Sequence, residues 1–479
     1  MTNFTFQCRL PAPPCPDPMN LLTSLARAHG DVAALHSCHL GGETVIGCQP
    51  ILTWTLYRTA DGTLQGDLLA GPGIPLPRLP GRINSASIAA ALDEWQALLD
   101  AVHLHCAAPG VMPPRWIGFI SYDAGKLLEV ATADLGAPGT WPLMRWQLFA
   151  RYYAFNPAAQ KWTLCALDHA DDPGASGALA AMEKSLQAGQ NQPLEPPPVQ
   201  QAALLAAPDP RRLMEQISAV QQYIGDGDIY QANLAVPWIV RTRESPVVIY
   251  RRLCQYTQAP YSAFLRFADH HVLCASPELF LQRTGRLVRT EPIKGTRPRY
   301  RHDQAGDDNQ RRELLHSVKD QAELNMITDL LRNDLGKICE YGSVQVEEPR
   351  RIQAHPTVWH TCSALIGTLR QPLRGSGWAA IIQAMCPGGS ITGAPKIRAM
   401  QIIAELEPVP RELYCGHIGW INGASGAANI VIRSIFMRGT HATVYAGAGI
   451  VADSCAAEEA REIATKAQAP LAALGVAIQ

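Results

Sequence analysis

The sequence predicts an α+β fold. Apolar runs of buried-strand length recur along the chain, and between them stand stretches whose apolar residues return every three or four positions. A proline-rich segment, Gln190–Gln201 (QNQPLEPPPVQQ), is polar, has no helical period and reads as an extended linker. The chain is therefore expected to comprise residues 1–189, a connection over 190–207 and a larger section over 208–474.

In the first section, Val32–Leu35 and Trp116–Tyr122 read as buried strands, with helices around Ile88–Val102 and Ala178–Ala188. Gly71–Gly81 (GPGIPLPRLPG) reads as a long loop. After the linker, Asp209 and Pro210 stand at cap positions of a helix running to Ile224. A strand-rich stretch follows from Ile229 to about Arg289. Gln310–Cys339 turns helical, with Leu315, Val318, Ala322, Met326 and Leu330 as its apolar stripe. Strands fit Ser343–Val346, Ser363–Thr368, Gly416–Ile421, Asn429–Met437 and His441–Tyr445. Asp453 and Ser454 read as the cap of a final helix. No repeat of 20 to 50 residues is visible, which argues against solenoids and propellers.

Composition narrows the function classes. The 479 residues are 47% hydrophobic and 17% charged, so a disordered or fibrous chain is excluded. Forty-one basic against 42 acidic side chains leave a net charge of −1, with no field to attract nucleic acid or an acidic membrane. The 13 cysteines include no C-x-x-C pair and fit reduced thiols in the cytoplasm. No export signal or membrane-spanning run is seen.

Several segments carry candidate chemistry. GAGIVA at Gly447–Ala452 matches a dinucleotide fingerprint in wording, but 27 residues beyond it cannot complete the βαβ unit that such a site needs. What remains is a close approach of backbone to a small anion, ahead of a helix. PGGSITGAPK at Pro387–Lys396 is a glycine-rich loop leading into a helix, either an ordinary turn or a carboxylate cradle. On a helical wheel Glu323 falls between Leu330 and Ile327, within the apolar sector, where a carboxylate needs a cation. Glu459, Glu462 and Lys466 share one face of the last helix. If Glu323 and Glu462 converge, their few oxygens suit magnesium that keeps waters or substrate oxygens as further ligands. Lys294, in EPIKGTRPR, is a candidate nucleophile or an exposed turn lysine, and Glu278, in SPELF, a candidate general acid or base.

Taken in order, GDIYQANL, SPELF, EPIKGTRPR, AELNMITDLLRNDLG, PGGSITGAPKIRAM, GHIGW, IVIRSIF and YAGAGIVADS resemble the chorismate-utilising enzymes over roughly residues 210–470. WIGFISYDAG extends the resemblance thinly into the first section. The resemblance implies two packed, mostly antiparallel sheets with helices outside and with N- and C-terminal parts intertwined. It also implies roles. Lys294 and Glu278 become the nucleophile and the general acid. Glu323 and Glu462 become Mg2+ ligands, with Glu459 beside them. Arg433, Lys466, Gly447 and Gly449 hold the carboxylates of chorismate, and His360 and Ser390 line the pocket. His360 is followed by Thr361-Cys362-Ser363 where the family has L-V-S. Ser37, Pro260, Tyr261 and Ser262 resemble the tryptophan pocket of some members, although GGETVIG departs from the usual wording of its N-terminal partner segment.

Two positions discriminate among the family's reactions. Gln231 stands where water-adding members carry a lysine, which disfavours isochorismate and salicylate chemistry. Lys294 stands in PIKGT where anthranilate-forming members have PIAGT, which resembles the members that form 4-amino-4-deoxychorismate on the way to para-aminobenzoate and folate. Anthranilate formation and a non-catalytic chorismate-binding regulatory subunit remain the alternatives. No segment reads as a glutaminase, which would need a cysteine elbow and about 190 further residues. Ammonia is therefore expected from a separate glutamine amidotransferase subunit.

Overall fold

Thr44–Arg58 and Met144–Asn156 are long strands that belong to two sheets at once. They pair antiparallel along their length, and the register slips between Pro50 and Leu52, beside the left-handed Gln49 (φ 61°). Such a slip bends a ladder and increases its twist. On one side of the bend they pair with Val32–Ser37 and Lys161–Asp168, and on the other with Leu64–Ala70 and Trp116–Ile120. The computed structural model in which this is seen describes residues 2–11, 16–37, 42–72, 74, 81–85, 87–106, 115–129, 139–168, 175–190, 199 and 202–477. The Gly71–Gly81 loop and the Gln190–Gln201 linker lie largely outside them.

From the bend, one sheet runs through Val32–Ser37, Tyr261–Phe267, His270–Ser276, Ser434–Arg438, His441–Ile450 and Gln231–Arg241. The other runs through Trp116–Ile120, His417–Asn422, Ser425–Asn429, Leu279–Thr284 and Leu287–Glu291 to Val358–Thr368. Among the described residues pairing is antiparallel except between Thr2–Arg9 and Val102–Cys106. In each sheet the strands from before the linker thus form one block that continues into a block from after it, joined through Val32–Ser37 against Tyr261–Phe267 in one sheet and Trp116–Ile120 against His417–Asn422 in the other.

Period-two burial builds the layers. Ala33, Leu35, Ala263, Leu265 and Phe267 face the core between the sheets, while Val32, Ala34 and Phe264 face a second core under helices. That second core is covered by Pro18–Ala28, Ala175–Gln190, Pro210–Gly225, Pro246–Thr257, Lys396–Leu406 and Ala456–Ala473.

Several local expectations are corrected. Pro246–Thr257 is a helix inside the stretch read as strands: its Val-Val-Ile run suggests extension, but the β-branched penalty is a few tenths of a kcal/mol per residue. Ser245 and Pro246 start the helix, and buried Val247, Tyr250 and Leu253 repay that cost. Gln310–Cys339 is two helices, Gln304–His316 and Val318–Gly336, hinged at Ser317, whose hydroxyl accepts from the Asp320 amide. The buried stripe is Leu324, Ile327, Leu331 and Leu335, whereas Leu315 and Val318 are exposed. Ser121 caps a helix that begins at Tyr122, which ends the preceding strand at Ile120. Cys455 stands at the cap of Ala456–Ala473, and the Ser454 hydroxyl instead meets the Val451 amide and Glu459. Ala203–Ala206, read as linker, pairs with Gln231–Arg241.

Candidate active site

The ends of both sheets bring the candidate residues together. Lys294 is the second residue of the strand Ile293–Pro298, opposite Thr361 of Val358–Thr368, whose hydroxyl donates to the Lys294 carbonyl. Gly295 follows with φ +75° at a register slip, a conformation that an L side chain rarely adopts. From the other sheet, Gln231 opens its strand and lies opposite Ala394, with Gly449 beside it on the neighbouring strand. Both amide atoms of Gln231 are buried without a hydrogen-bond partner among the described residues.

Gly447 and Gly449 lie within the strand His441–Ile450, not in a loop ahead of a helix as the sequence suggested. Gly449 is a matter of space. A Cβ there would stand 2.1 Å from Gln231 Nε2 and 3.3 Å from Lys294 Nζ, so only hydrogen lets the three groups converge. Gly447 offers its carbonyl, which accepts from Lys466 Nζ at 3.0 Å.

Glu278 precedes the strand Leu279–Thr284, and its backbone is fixed by the Ser276 hydroxyl and the Ile430 amide. Burial pushes its carboxyl up to about 7, against a hydrogen bond from the Ser390 side chain and the charges of Lys294 and Lys466. Its Oε1 has no partner among the described residues. A buried, half-protonated carboxyl with an open oxygen is suited to proton transfer near neutral pH. Ser390 sits in the short turn Gly389–Ile391 within the glycine-rich loop. His360 is buried, its imidazole driven down to about 3 by burial with the charges of His355 and Arg433, and it therefore stays neutral.

The acidic residues differ in their commitments. Glu323 Oε2 lies 3.9 Å from Lys294 Nζ. Burial raises the Glu323 carboxyl, opposed by Lys294 and Lys319 and assisted by Asp320 and Glu459. Glu462 is half-exposed and 2.6 Å from Lys466 Nζ; desolvation is outweighed by Lys466, Lys319 and Lys294, and its carboxyl is lowered. Burial in turn lowers Lys466. Glu459 is held by Lys319 at 3.1 Å and by the Ser454 hydroxyl at 2.8 Å. Among the described residues no three His, Cys, Asp or Glu side chains form a ready-made metal cage. Glu323 is largely buried and crowded by like charges, whereas Glu462 is half-exposed rather than turned inward as its helical face suggested; their few oxygens fit only a cation that takes its remaining ligands from substrate and water.

Arg433 precedes the strand Ser434–Arg438 in a left-handed conformation (φ 54°), and its guanidinium makes no ion pair among the described residues. Its backbone is strained and its side chain partly buried, and a guanidinium so placed has the chemistry to receive an anion. Arg297 and Arg299, close to Lys294 in sequence, are drawn off to Asp320 and Asp307. Ser37 and Tyr261 are register partners on neighbouring strands, Pro260 precedes the strand of Tyr261, and Ser262 lies opposite His36 with its hydroxyl donating to the Ala259 carbonyl.

One structural element escaped sequence reading. Arg411 is fully buried, pairs with Glu407 at 2.6 Å, donates to the carbonyls of Ile391 and Asn233, and stacks 4.6 Å over Tyr122. It ties the Ser390 turn to the strand of Gln231. A single arginine in PRELYC carries no periodic signal; its buried partners come from segments far away in sequence.

With this geometry the chain can be set beside known proteins. A family model described as chorismate binding enzyme matches residues 80–472. Aminodeoxychorismate synthase component 1 of Bacillus subtilis (strain 168) is 36% identical over 369 residues, 75% of this chain and 76% of that protein. Anthranilate synthase component 1 1 of Haloarcula marismortui is 36% identical over 403 residues, 81% of each. The crystal structure of anthranilate synthase component I from Streptococcus pneumoniae TIGR4 superposes with a TM-score of 0.71 at 25% identity, over 89% of this chain and 92% of that one. The chain belongs to the family of chorismate binding enzymes.

Proposed function

We propose that the chain replaces the C4 hydroxyl of chorismate by ammonia, giving 4-amino-4-deoxychorismate and water. The observation that carries this reading is Lys294, whose amine stands between Gln231, Gly449 and Glu323 in the centre of the site. Relatives named aminodeoxychorismate synthase component 1 support the same reaction.

In this reading Arg433 and Lys466 receive the carboxylates of chorismate, with Gly447 and Gly449 leaving room for them and His360 and Ser390 lining the pocket. The Lys294 amine adds at C2, and the C4 hydroxyl leaves as water with the proton held by Glu278. Ammonia then adds at C4 and Lys294 departs, restoring the ring double bond. Two displacements place nitrogen at C4 and keep the enolpyruvyl group. Glu323 and Glu462 would hold Mg2+, with Glu459 steadied beside them. Held there, such an ion would supply positive charge against the ring carboxylate and against the acids around Glu323. Neutral Gln231 lacks the cationic head found in water-adding members, which favours ammonia as the incoming group. Ammonia would be supplied by a separate glutamine amidotransferase, and the product leads to para-aminobenzoate and folate. No helix among the described residues is long and apolar enough to cross a membrane, and a cytoplasmic location suits these metabolites.

Mass analysis of the products from chorismate and ammonium, with and without a lyase that removes pyruvate, tests the reading. Lys294→Ala is expected to abolish aminodeoxychorismate while chorismate still binds. Anthranilate as the product, or undiminished turnover of Lys294→Ala with saturating ammonia, would refute it.

A further inference from the structure

Cys8 and Cys165 stand directly opposite each other on the antiparallel strands Thr2–Arg9 and Lys161–Asp168, with their sulfurs 3.0 Å apart. Opposed residues of such a ladder have Cα atoms about 4.5–5.5 Å apart, inside the about 4.4–6.8 Å that a disulfide spans. The sulfurs have about 1 Å left to close before they could bond, and the ladder already holds both side chains in place.

The period of the first strand brings the two thiols together. Phe4, Phe6 and Cys8 share one of its faces; both rings are buried in the core between the sheets, and Cys8 packs against the edge of that core. Cys165 belongs to the same core and is 2% exposed. Cys8 is only partly buried, so a reagent in solution meets it first. The buried Arg115 guanidinium lies near enough to attract an ionised Cys165, and the thiolate is the form that attacks another sulfur. An accessible sulfur, a buried sulfur in contact with it and a cation beside the buried one are the parts that thiol–disulfide exchange needs.

A bond here would matter to the chain. Beyond Cys8 the strand carries the Arg9–Glu183 ion pair at 3.2 Å, with both side chains substantially exposed, and such a pair holds weakly. Cys8 and Cys165 are 157 positions apart, so a covalent link would close a long loop and restrain the unfolded chain.

We propose that Cys8 and Cys165 form a reversible disulfide, made and unmade by exchange with small-molecule disulfides and thiols, which clamps the first strand to the sheet. The Cys8 thiolate attacks a small disulfide, forming a mixed disulfide and releasing one thiolate. The Cys165 thiolate then attacks the Cys8 sulfur, forming the Cys8–Cys165 bond and breaking the bond to the reagent, whose second half leaves as thiolate. The two protons given up by the cysteines end on the two released thiols; the protein loses two electrons and the reagent gains them. An excess of small thiol runs the sequence backwards.

The test uses the folded full chain and requires no turnover. Protein is incubated with oxidised glutathione, its remaining thiols are alkylated before unfolding, and a tryptic digest is weighed. Fragments 1–9 and 162–184, which hold the two cysteines, are expected as one linked species, two hydrogens lighter than the two together, from a chain that stays monomeric on a non-reducing gel. Reduced glutathione in excess should return both fragments separately. In Cys165→Ser the reagent should remain on Cys8 as a mixed disulfide. Cys8 left unmodified, Cys8 carrying glutathione alone in the wild-type chain, or either sulfur linked to a third cysteine or to a second chain would overturn the proposal.

Discussion

Gly449→Ala tests the central contact of the site with one methyl group. The residue is in regular strand pairing and has no left-handed backbone requirement, so the substitution strains no dihedral. The new carbon would lie 2.1 Å from Gln231 Nε2, and real Cβ contacts essentially never fall below 3.0 Å, so the amide must retreat by about 0.9 Å. Lys294 Nζ, at 3.3 Å, is pressed by the same methyl. Displacing reacting groups by about 1 Å can cost on the order of 100-fold in rate, while overpacking of this kind typically costs about 1–3 kcal/mol in stability. The assay is kcat/KM for chorismate with saturating ammonia, beside thermal unfolding, for Gly449→Ala, Gln231→Ala and the pair. Gln231→Ala removes the colliding amide, so the double variant should lose little more than Gln231→Ala alone, a strong departure from additivity. Wild-type rate in Gly449→Ala, or strictly additive losses, would refute the argument that glycine is there to let Gln231 and Lys294 converge.

Glu278→Gln should abolish turnover yet stabilise the fold above pH 7. Burial pushes the native carboxyl up to about 7 from the ordinary 4.5, so its favourable contribution is present below about pH 4.5 and lost as pH rises through 7. The gain in unfolding free energy is on the order of 3 kcal/mol, and an equal pH dependence of urea unfolding in both proteins would contradict it. Arg411→Ala leaves Glu407 buried without its partner and should cost about 3–5 kcal/mol; denaturant unfolding measures this, and a neutral effect would exclude the strut. Glu323→Gln should weaken the coupling between magnesium and chorismate by about 1–3 kcal/mol, with little effect from Glu348→Gln at the surface. Calorimetric titration of chorismate with and without magnesium decides it, and unchanged coupling would remove Glu323 from the proposed ligand set.

The sequence alone determined the α+β class, the alternation of strands and helices, and the ordered motifs that place Lys294, Glu278 and Glu323 in one family pattern. These are local features: period, turn chemistry and wording survive in one dimension. The Pro246–Thr257 helix was misread because its β-branched run favours extension locally, while burial against the sheet reverses that preference. The buried stripe of Val318–Gly336 shifted for a related reason, since the break at Ser317 resets the helical phase. Tertiary structure alone decided that Glu459 is engaged by Lys319 and Ser454, and that Arg297 and Arg299 turn to Asp320 and Asp307. It also decided that Arg411 bridges Ile391 and Asn233. Each depends on segments that the two sheets bring together from far apart in the chain, and the charge, desolvation and donor geometry that set a side chain's role come into being only with that contact.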